Sequence, residues 1–258
     1  MKKSLYVIIL LMLWLNNSFA LTRVDVQIIE ARENIQYLGQ KITTDYFLLY
    51  KRPNDFILKN NFTDNITEFE KNIQIISNIT KNTSTLSVLG FYNHELRKIK
   101  KIAQKHPTKE LAKELLTASE TFIEGVISIA SKHKYESSVE EEMLVHCKDL
   151  TYLIESISKY YMAFQIGLKG EQYDLKMETA IQEINKDLKS LSTYNYAYEL
   201  QVKVEKIKSI WEHNQTFFKN LEETTFTNLL LSSNTYLKTL LIDLETYHKQ
   251  KLYDERVK

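Results

Sequence analysis

An apolar stripe that occurs twice, 115 residues apart, constrains the fold of this chain more than any other feature. Its members are Ile28, Ile35, Ile42 and Leu49 in the first half and Met143, Leu150, Ile157 and Phe164 in the second. A spacing of seven residues places these side chains on one helix face, so each stripe predicts a long amphipathic helix. Three further blocks recur in the same order, at offsets of about 108 to 114. Colinear repetition predicts an internal duplication of about 115 residues.

Apolar periodicity predicts four helices in each copy of the duplication. The predicted helices span residues 22–52, 66–80, 86–105, 108–133, 138–169, 174–191, 196–220 and 224–252. Five glycines and two prolines in 258 residues disfavour β-sandwiches and barrels, which need many tight turns. Ser138 and Glu141 have the spacing of a capping box at a helix start.

Short connections between amphipathic helices favour an up-down-up-down bundle. The sequence therefore predicts an all-α fold of two tandem antiparallel four-helix bundles, over residues 21–136 and 137–258. An α-solenoid is the alternative, although its repeats are usually about 30 to 47 residues long.

The first twenty residues have the organisation of an export signal. Lys2 and Lys3 precede an apolar run, and Ser18-Phe19-Ala20 offers a small-residue cleavage site. An uncleaved anchor is the alternative, but the run is shorter than the roughly 20 residues that span a bilayer. Cleavage after Ala20 would change the formal net charge from +1 to about −1. We therefore expect a periplasmic or secreted protein that has no membrane span after cleavage and does not bind nucleic acid.

Residues that could support catalysis or metal binding are scattered. The single cysteine, Cys147, lies on the apolar stripe of its predicted helix, which favours a buried thiol over a redox or intermolecular role. Glu245 and His248 have the Glu-x2-His spacing of di-iron bundles, but such a site requires a second copy of the motif. The sequence predicts no metal, no cofactor and no enzymatic activity.

The repeated block resembles the first-helix motif of the PilJ/NarX-like sensory domain. That domain is the extracytoplasmic, N-terminal part of type IV pili methyl-accepting chemotaxis transducers and nitrate-sensing kinases. The matching residues are Leu38, Gln40, Ile42 and Tyr46 in the first copy, where Lys41 takes the place of an arginine, and Leu153, Ile157, Lys159 and Tyr161 in the second. The resemblance extends over nearly all of residues 22–255 and implies two tandem copies of a helical sensory domain. It implies further that the motif helices of two subunits face each other across the ligand, so that a tandem duplication can place both halves of such a site in one chain.

The departures from the family pattern bear on the ligand. The arginine to which the resemblance would assign anion binding is Gln36 in the first copy and Thr151 in the second. Glu155 stands where it would repel nitrate, which needs cationic or amide donors. We also expect no counterpart in this sequence of the transmembrane and output modules that the signalling family members carry. A sensor of this kind would pass its signal to another extracytoplasmic protein.

Polar residues beside the two apolar stripes are the candidate ligand-binding residues. They are Gln36, Gln40, Lys41 and Thr43 in the first copy and Thr151, Glu155 and Ser158 in the second. Spacings of four and seven place each set on one helix face, although a solvated face explains them too. Nearby tyrosines could line a pocket or belong to the core.

If the two first helices face each other, one side offers amides and a cation and the other a carboxylate and hydroxyls. This mixture suits a zwitterion or a neutral polar solute better than nitrate. Copies packed end to end would instead separate the two faces by about 40 Å. The sequence thus favours a periplasmic sensory or ligand-binding module. The alternative function is a structural or adaptor bundle that binds a protein partner.

Overall fold

The computed structural model describes residues 23–132, 138–219 and 227–257, which form eight α-helices and no β-strand. The helices are α1 (Arg23–Lys51), α2 (Phe56–Ile79), α3 (Thr83–Ala103), α4 (Lys109–Lys132), α5 (Val139–Gln165), α6 (Glu171–Thr193), α7 (Tyr198–Lys219) and α8 (Thr227–Val257). The predicted all-α class is confirmed. The predicted export signal lies outside the described residues. None of the described helices combines the length and the apolar character needed to cross a membrane.

The start of α2 differs from the sequence-based prediction. The Asn/Thr-rich stretch 59–67 lies mostly in the gap between the predicted helices 22–52 and 66–80, but it is helical, and α2 begins at Phe56. The Asp55 side chain accepts a hydrogen bond from the amide three residues later and caps this helix. Inside the stretch, the Thr63 hydroxyl donates to the Lys59 carbonyl at 2.9 Å, so it bonds within the helix. Capping and local back-bonding together explain why this polar segment is helical.

The two ends of α5 follow established capping patterns. The predicted capping box is confirmed, because the Glu141 amide donates to Ser138 Oγ and the Ser138 amide donates to the Glu141 carboxylate. At the other end, α5 stops at Gln165 rather than continuing to 169. Gly167 has φ +78° there, and the Leu168 amide donates to the carbonyl five residues earlier. This is a Schellman ending, which needs a glycine-like conformation.

Helix contacts fall into two sets of four. Among the first four helices, α1 contacts α2 and α4, while α3 lies between α2 and α4 and contacts both. Helices α5, α6, α7 and α8 contact each other in the same order, and α1 also packs along α5. The predicted apolar stripes are buried except for Phe164, which is half-buried. Cys147 is fully buried, as predicted, and the buried apolar side chains of both halves form one connected cluster.

An aromatic group fills the space between α2, α3 and α4. The Phe122 ring lies 4.5 Å from the Phe69 ring and 5.3 Å from the Tyr92 ring, measured between centroids. The buried Tyr92 hydroxyl donates to the Phe122 carbonyl at 2.6 Å. A Cβ atom added at Gly125 would lie 2.3 Å from the Tyr92 oxygen, whereas one added at Gly90 would meet nothing within 4 Å. Gly125 therefore makes room for the tyrosine ring.

Candidate ligand site between α1 and α5

Helices α1 and α5 lie side by side and run in the same direction. The facing side-chain pairs are Glu33–Lys148, Gln36–Tyr152 and Thr44–Glu155. From one pair to the next, the residue numbers increase on both helices, as they do when two helices run parallel. Within each pair they differ by 115, 116 and 111, close to the offset between the repeated sequence blocks. Positions that are equivalent in the two sequence copies, or within about one helical turn of equivalence, therefore lie opposite each other.

A network of polar side chains extends across this helix pair and into α2 and α8. Asn65 donates to the Asp45 carboxylate at 2.7 Å, and Asp45 forms an ion pair with Lys41 one turn earlier. On the α5 side, the Lys238 ammonium lies 2.5 Å from the Glu155 carboxylate, which is almost fully buried. We call these five side chains the central network. It contains two cations and two carboxylates, so its formal charge is balanced.

Burial and opposite charges compete within the central network. Burial alone would raise the pKa of Glu155, but the ammonium groups of Lys238 and Lys41 outweigh it and lower that pKa. Burial would lower the pKa of Lys41, yet the carboxylates of Glu155 and Asp45 raise it. At Asp45 burial prevails over Lys41, and the pKa is raised. Lys41 and Glu155 therefore favour their charged forms and present opposite charges at the interface of α1 and α5.

Gln40 precedes Lys41 of this network in the sequence, and its side chain is fully buried. Its amide nitrogen and its amide oxygen both lack a hydrogen-bond partner within the described part of the chain. Gln40 sits between Gln36 and Thr44 at intervals of one turn, and both of those residues reach α5. Gln40 therefore lies on the face of α1 that is turned towards α5. The interface thus contains one unused donor group and one unused acceptor next to the charges of Lys41 and Glu155.

Three other predicted site residues are bonded elsewhere. The Thr43 hydroxyl is directed towards α4 and lies 3.4 Å from the Leu115 carbonyl. Ser158 accepts a hydrogen bond from Asn234 on α8 at 2.9 Å. The Thr151 hydroxyl donates to a carbonyl one turn earlier on its own helix. The structure therefore brings Gln36, Gln40, Lys41 and Glu155 together, while these three hydroxyls bond within single helices or to α4 and α8.

A second polar network joins α4, α5 and α6. Lys159 is fully buried, and its ammonium lies 2.6 Å from the Glu120 carboxylate and 3.2 Å from the Ser119 hydroxyl. Tyr160 also donates to Glu120 at 2.6 Å, and Lys176 forms an ion pair with it. Burial lowers the pKa of Lys159 to about 8 even though Glu120 opposes the shift. Sequence spacing could not reveal this network, because residues about 40 positions apart on α4 and α5 come together only when these helices pack.

Carboxylates with raised pKa values lie nearer the N-terminal ends of α1 and α5. Burial raises the pKa of Glu33 to about 7, although Lys148 and Arg32 act in the opposite direction. Burial likewise raises the pKa of Asp149 to about 6, with the charge of Asp187 adding to the effect. This end of the helix pair therefore takes up protons within the physiological pH range.

The Glu-x2-His pair of α8 makes two separate contacts. His248 lies between the Glu140 carboxylate, at 2.6 Å from Nδ1, and the Tyr196 hydroxyl, at 2.7 Å from Nε2. The Glu245 carboxylate instead lies 3.9 Å from the Lys148 ammonium. Within residues 23–132, 138–219 and 227–257, no group of three or more His, Cys, Asp or Glu side chains is placed to hold a metal ion.

No family model, curated protein or solved structure matches this chain. Its function therefore has to be inferred from its own residues. The interface of α1 and α5 combines four of the sequence-predicted site residues, balanced charges and the buried amide of Gln40. This combination makes it the candidate functional site.

Proposed function

We propose that this chain is an exported sensory or ligand-binding module that holds a small polar solute between α1 and α5. The observation that carries the proposal is the Gln40 amide, which is fully buried and makes no hydrogen bond to a described residue. A buried polar group without a partner costs roughly 1 to 3 kcal/mol. A solute that accepts from the amide nitrogen and donates to the amide oxygen would offset this cost.

The charges around Gln40 favour a zwitterion or a neutral polar solute. Lys41 supplies a cation on the α1 side, and Glu155 supplies a carboxylate on the α5 side. A zwitterion can place its own opposite charges against these two groups. A lone anion such as nitrate would add an uncompensated charge to a network whose own charges already balance, so we do not propose nitrate as the ligand.

We also propose that the chain consists of two tandem antiparallel four-helix bundles produced by internal duplication. The two sets of helix contacts and the main connection through α1 and α5 support this arrangement. The facing positions, near the repeat offset, are those expected for an interface with approximate twofold symmetry. Fragments 21–136 and 137–258 should each give a helical circular dichroism spectrum and a cooperative melt. Two unfolded fragments would favour one interleaved domain instead.

The sensory part of the proposal rests on the predicted export signal and on the resemblance to the PilJ/NarX-like domain. That resemblance implies that motif helices face each other across a ligand. Helices α1 and α5 carry the motif residues and lie against each other, which supports a comparable position for the site. An occupied site would then be read by another extracytoplasmic protein.

A thermal-shift screen tests the proposed binding site. The probes are alanine and glycine betaine as zwitterions, acetamide as a neutral amide and nitrate as an anion. A zwitterion or the amide should raise the melting temperature, because a ligand that binds the folded state stabilises it by mass action. Gln40→Met should abolish that rise, whereas the same substitution at exposed Gln74 should preserve it.

Two outcomes would overturn the proposed function. A rise that persists in Gln40→Met would place the ligand elsewhere in the chain. No rise with any probe, together with a protein that co-purifies with the chain, would favour the structural or adaptor function.

A further inference from the structure

A cavity lies at one end of the first four helices, apart from the site between α1 and α5. It has a volume of about 260 Å³ and is enclosed by the C-terminal part of α1, the start of α2 and the connection between α3 and α4. The side chains of Tyr46 and Phe62 form part of its lining, with their ring centroids 5.7 Å apart. Leu49 and Ile102 add aliphatic surface. The inner wall is thus apolar and largely aromatic.

The outer part of the cavity carries basic side chains. Lys59 comes from α2, while Lys105 and His106 come from the connection between α3 and α4. Neither lysine forms an ion pair with another residue in the described ranges. Among the residues that the structure describes, the cavity lining includes no Asp or Glu. The two lysines give the opening a positive charge, while the carboxylates of Glu110 and Glu114 act on the Tyr46 hydroxyl from outside the lining.

The Tyr46 hydroxyl adds a buried hydrogen-bond donor. Its oxygen accepts from the Thr108 amide at 3.2 Å, and its own proton has no acceptor among the residues that the structure describes. Burial raises the pKa of Tyr46, with the charges of Glu114 and Glu110 adding to it and the Thr108 bond opposing it. The phenol therefore stays protonated and can donate to a ligand.

We propose that this cavity binds a small carboxylate with an apolar body, such as an aromatic monocarboxylate. The apolar body would lie against the Tyr46 and Phe62 rings, and the carboxylate would accept the Tyr46 hydrogen bond near the basic opening. Ligand pockets combine an apolar lining with a few polar groups that fix orientation in this way. The volume is below the roughly 300 Å³ at which pockets for drug-sized ligands begin, so the ligand is small.

Fluorine NMR of the full chain with 4-fluorobenzoate tests this site. The ligand resonance should broaden and shift saturably, and 4-fluorobenzylamine, which has the opposite charge, should bind at least tenfold more weakly. Tyr46→Phe keeps the ring and removes the donor, so it should weaken benzoate binding by about tenfold. Lys105→Gln should weaken it several-fold, whereas Lys81→Gln, at the opposite end of α2, should leave it unchanged.

Several results would overturn the proposal. Equal binding of the amine and the carboxylate would show that charge plays no part. Unchanged benzoate affinity in both Tyr46→Phe and Lys105→Gln would exclude this cavity. Lys105 is exposed, so its variant remains informative even if Tyr46→Phe fails to fold. Gln40→Met should leave benzoate binding intact, which separates a failure here from a failure of the site between α1 and α5.

Discussion

The substitution Gln40→Met should stabilise the unliganded chain. Methionine has nearly the same length and volume as glutamine, and the two residues have similar helix propensities. The change therefore removes the amide while leaving helix formation and local volume almost unaltered. Because both amide atoms are buried without a described partner, the native chain bears a desolvation cost that the variant avoids.

The expected gain follows from that cost. Leaving a buried donor or acceptor unsatisfied costs roughly 1 to 3 kcal/mol, so a rise of about 2 kcal/mol in the free energy of unfolding is expected. For a chain of this size, this corresponds to an increase of about 4 to 8 °C in melting temperature. The same substitution at exposed Gln74 should change the free energy of unfolding by less than about 0.5 kcal/mol.

Thermal and urea unfolding of the three proteins, monitored by circular dichroism without added solute, give the comparison. If the Gln40→Met variant is more stable and no longer responds to the ligand, the native chain keeps the Gln40 amide for binding at a cost in stability. An unchanged or lowered melting temperature would refute the reasoning. It would mean that ordered water or a neighbouring group satisfies the Gln40 amide in the native chain.

Three further predictions concern the stability of the fold. Ile42→Asp and Ile157→Asp should each lower the free energy of unfolding in urea by several kcal/mol, since both positions are fully buried and apolar. A variant of normal stability would show that the core face is misassigned. Glu33 has a raised folded-state pKa, so its contribution to stability is present below 4.5 and is lost as the pH rises through about 7. Glu33→Gln should therefore remove part of the decline in melting temperature over that range, and an identical pH profile would contradict the assignment. Gly125→Ala should destabilise the chain by about 1 to 3 kcal/mol, because the added Cβ meets a buried tyrosine. Gly90→Ala, at an open helical site, should stabilise the chain by about 0.5 to 1 kcal/mol. Equal effects of the two substitutions in thermal melts would refute this contrast.

Sequence periodicity predicted the helices and their buried faces because both depend on local order. The stripe through Ile35 and Ile42 is buried as predicted, and Ser138 caps α5 as its spacing indicated. The error at the start of α2 has a physical reason. Asn and Thr side chains often compete with helical hydrogen bonds, but here Asp55 caps the first turn and the Thr63 hydroxyl bonds within the helix.

The candidate site was predictable only in part. The face carrying Gln36 and Gln40 could be identified from spacing, but Thr43 lies on the edge of that face and bonds towards α4. The partner of Glu155 is Lys238, which is 83 positions away on α8. No local pattern joins residues so distant, since their approach depends on how α8 packs against α5. The missing partners of Gln40 could likewise be recognised only after its neighbours were placed.

Because Cys147 is buried, the reactivity of its thiol reports local opening of the structure. Burial raises the pKa of this thiol well above its ordinary value, so in the closed structure it is both inaccessible and protonated. A maleimide reagent can react only when α5 separates locally from its neighbours, and the sequence contains no second cysteine to contribute. The labelling rate therefore measures how often the region around α5 opens, and a solute bound between α1 and α5 should slow it.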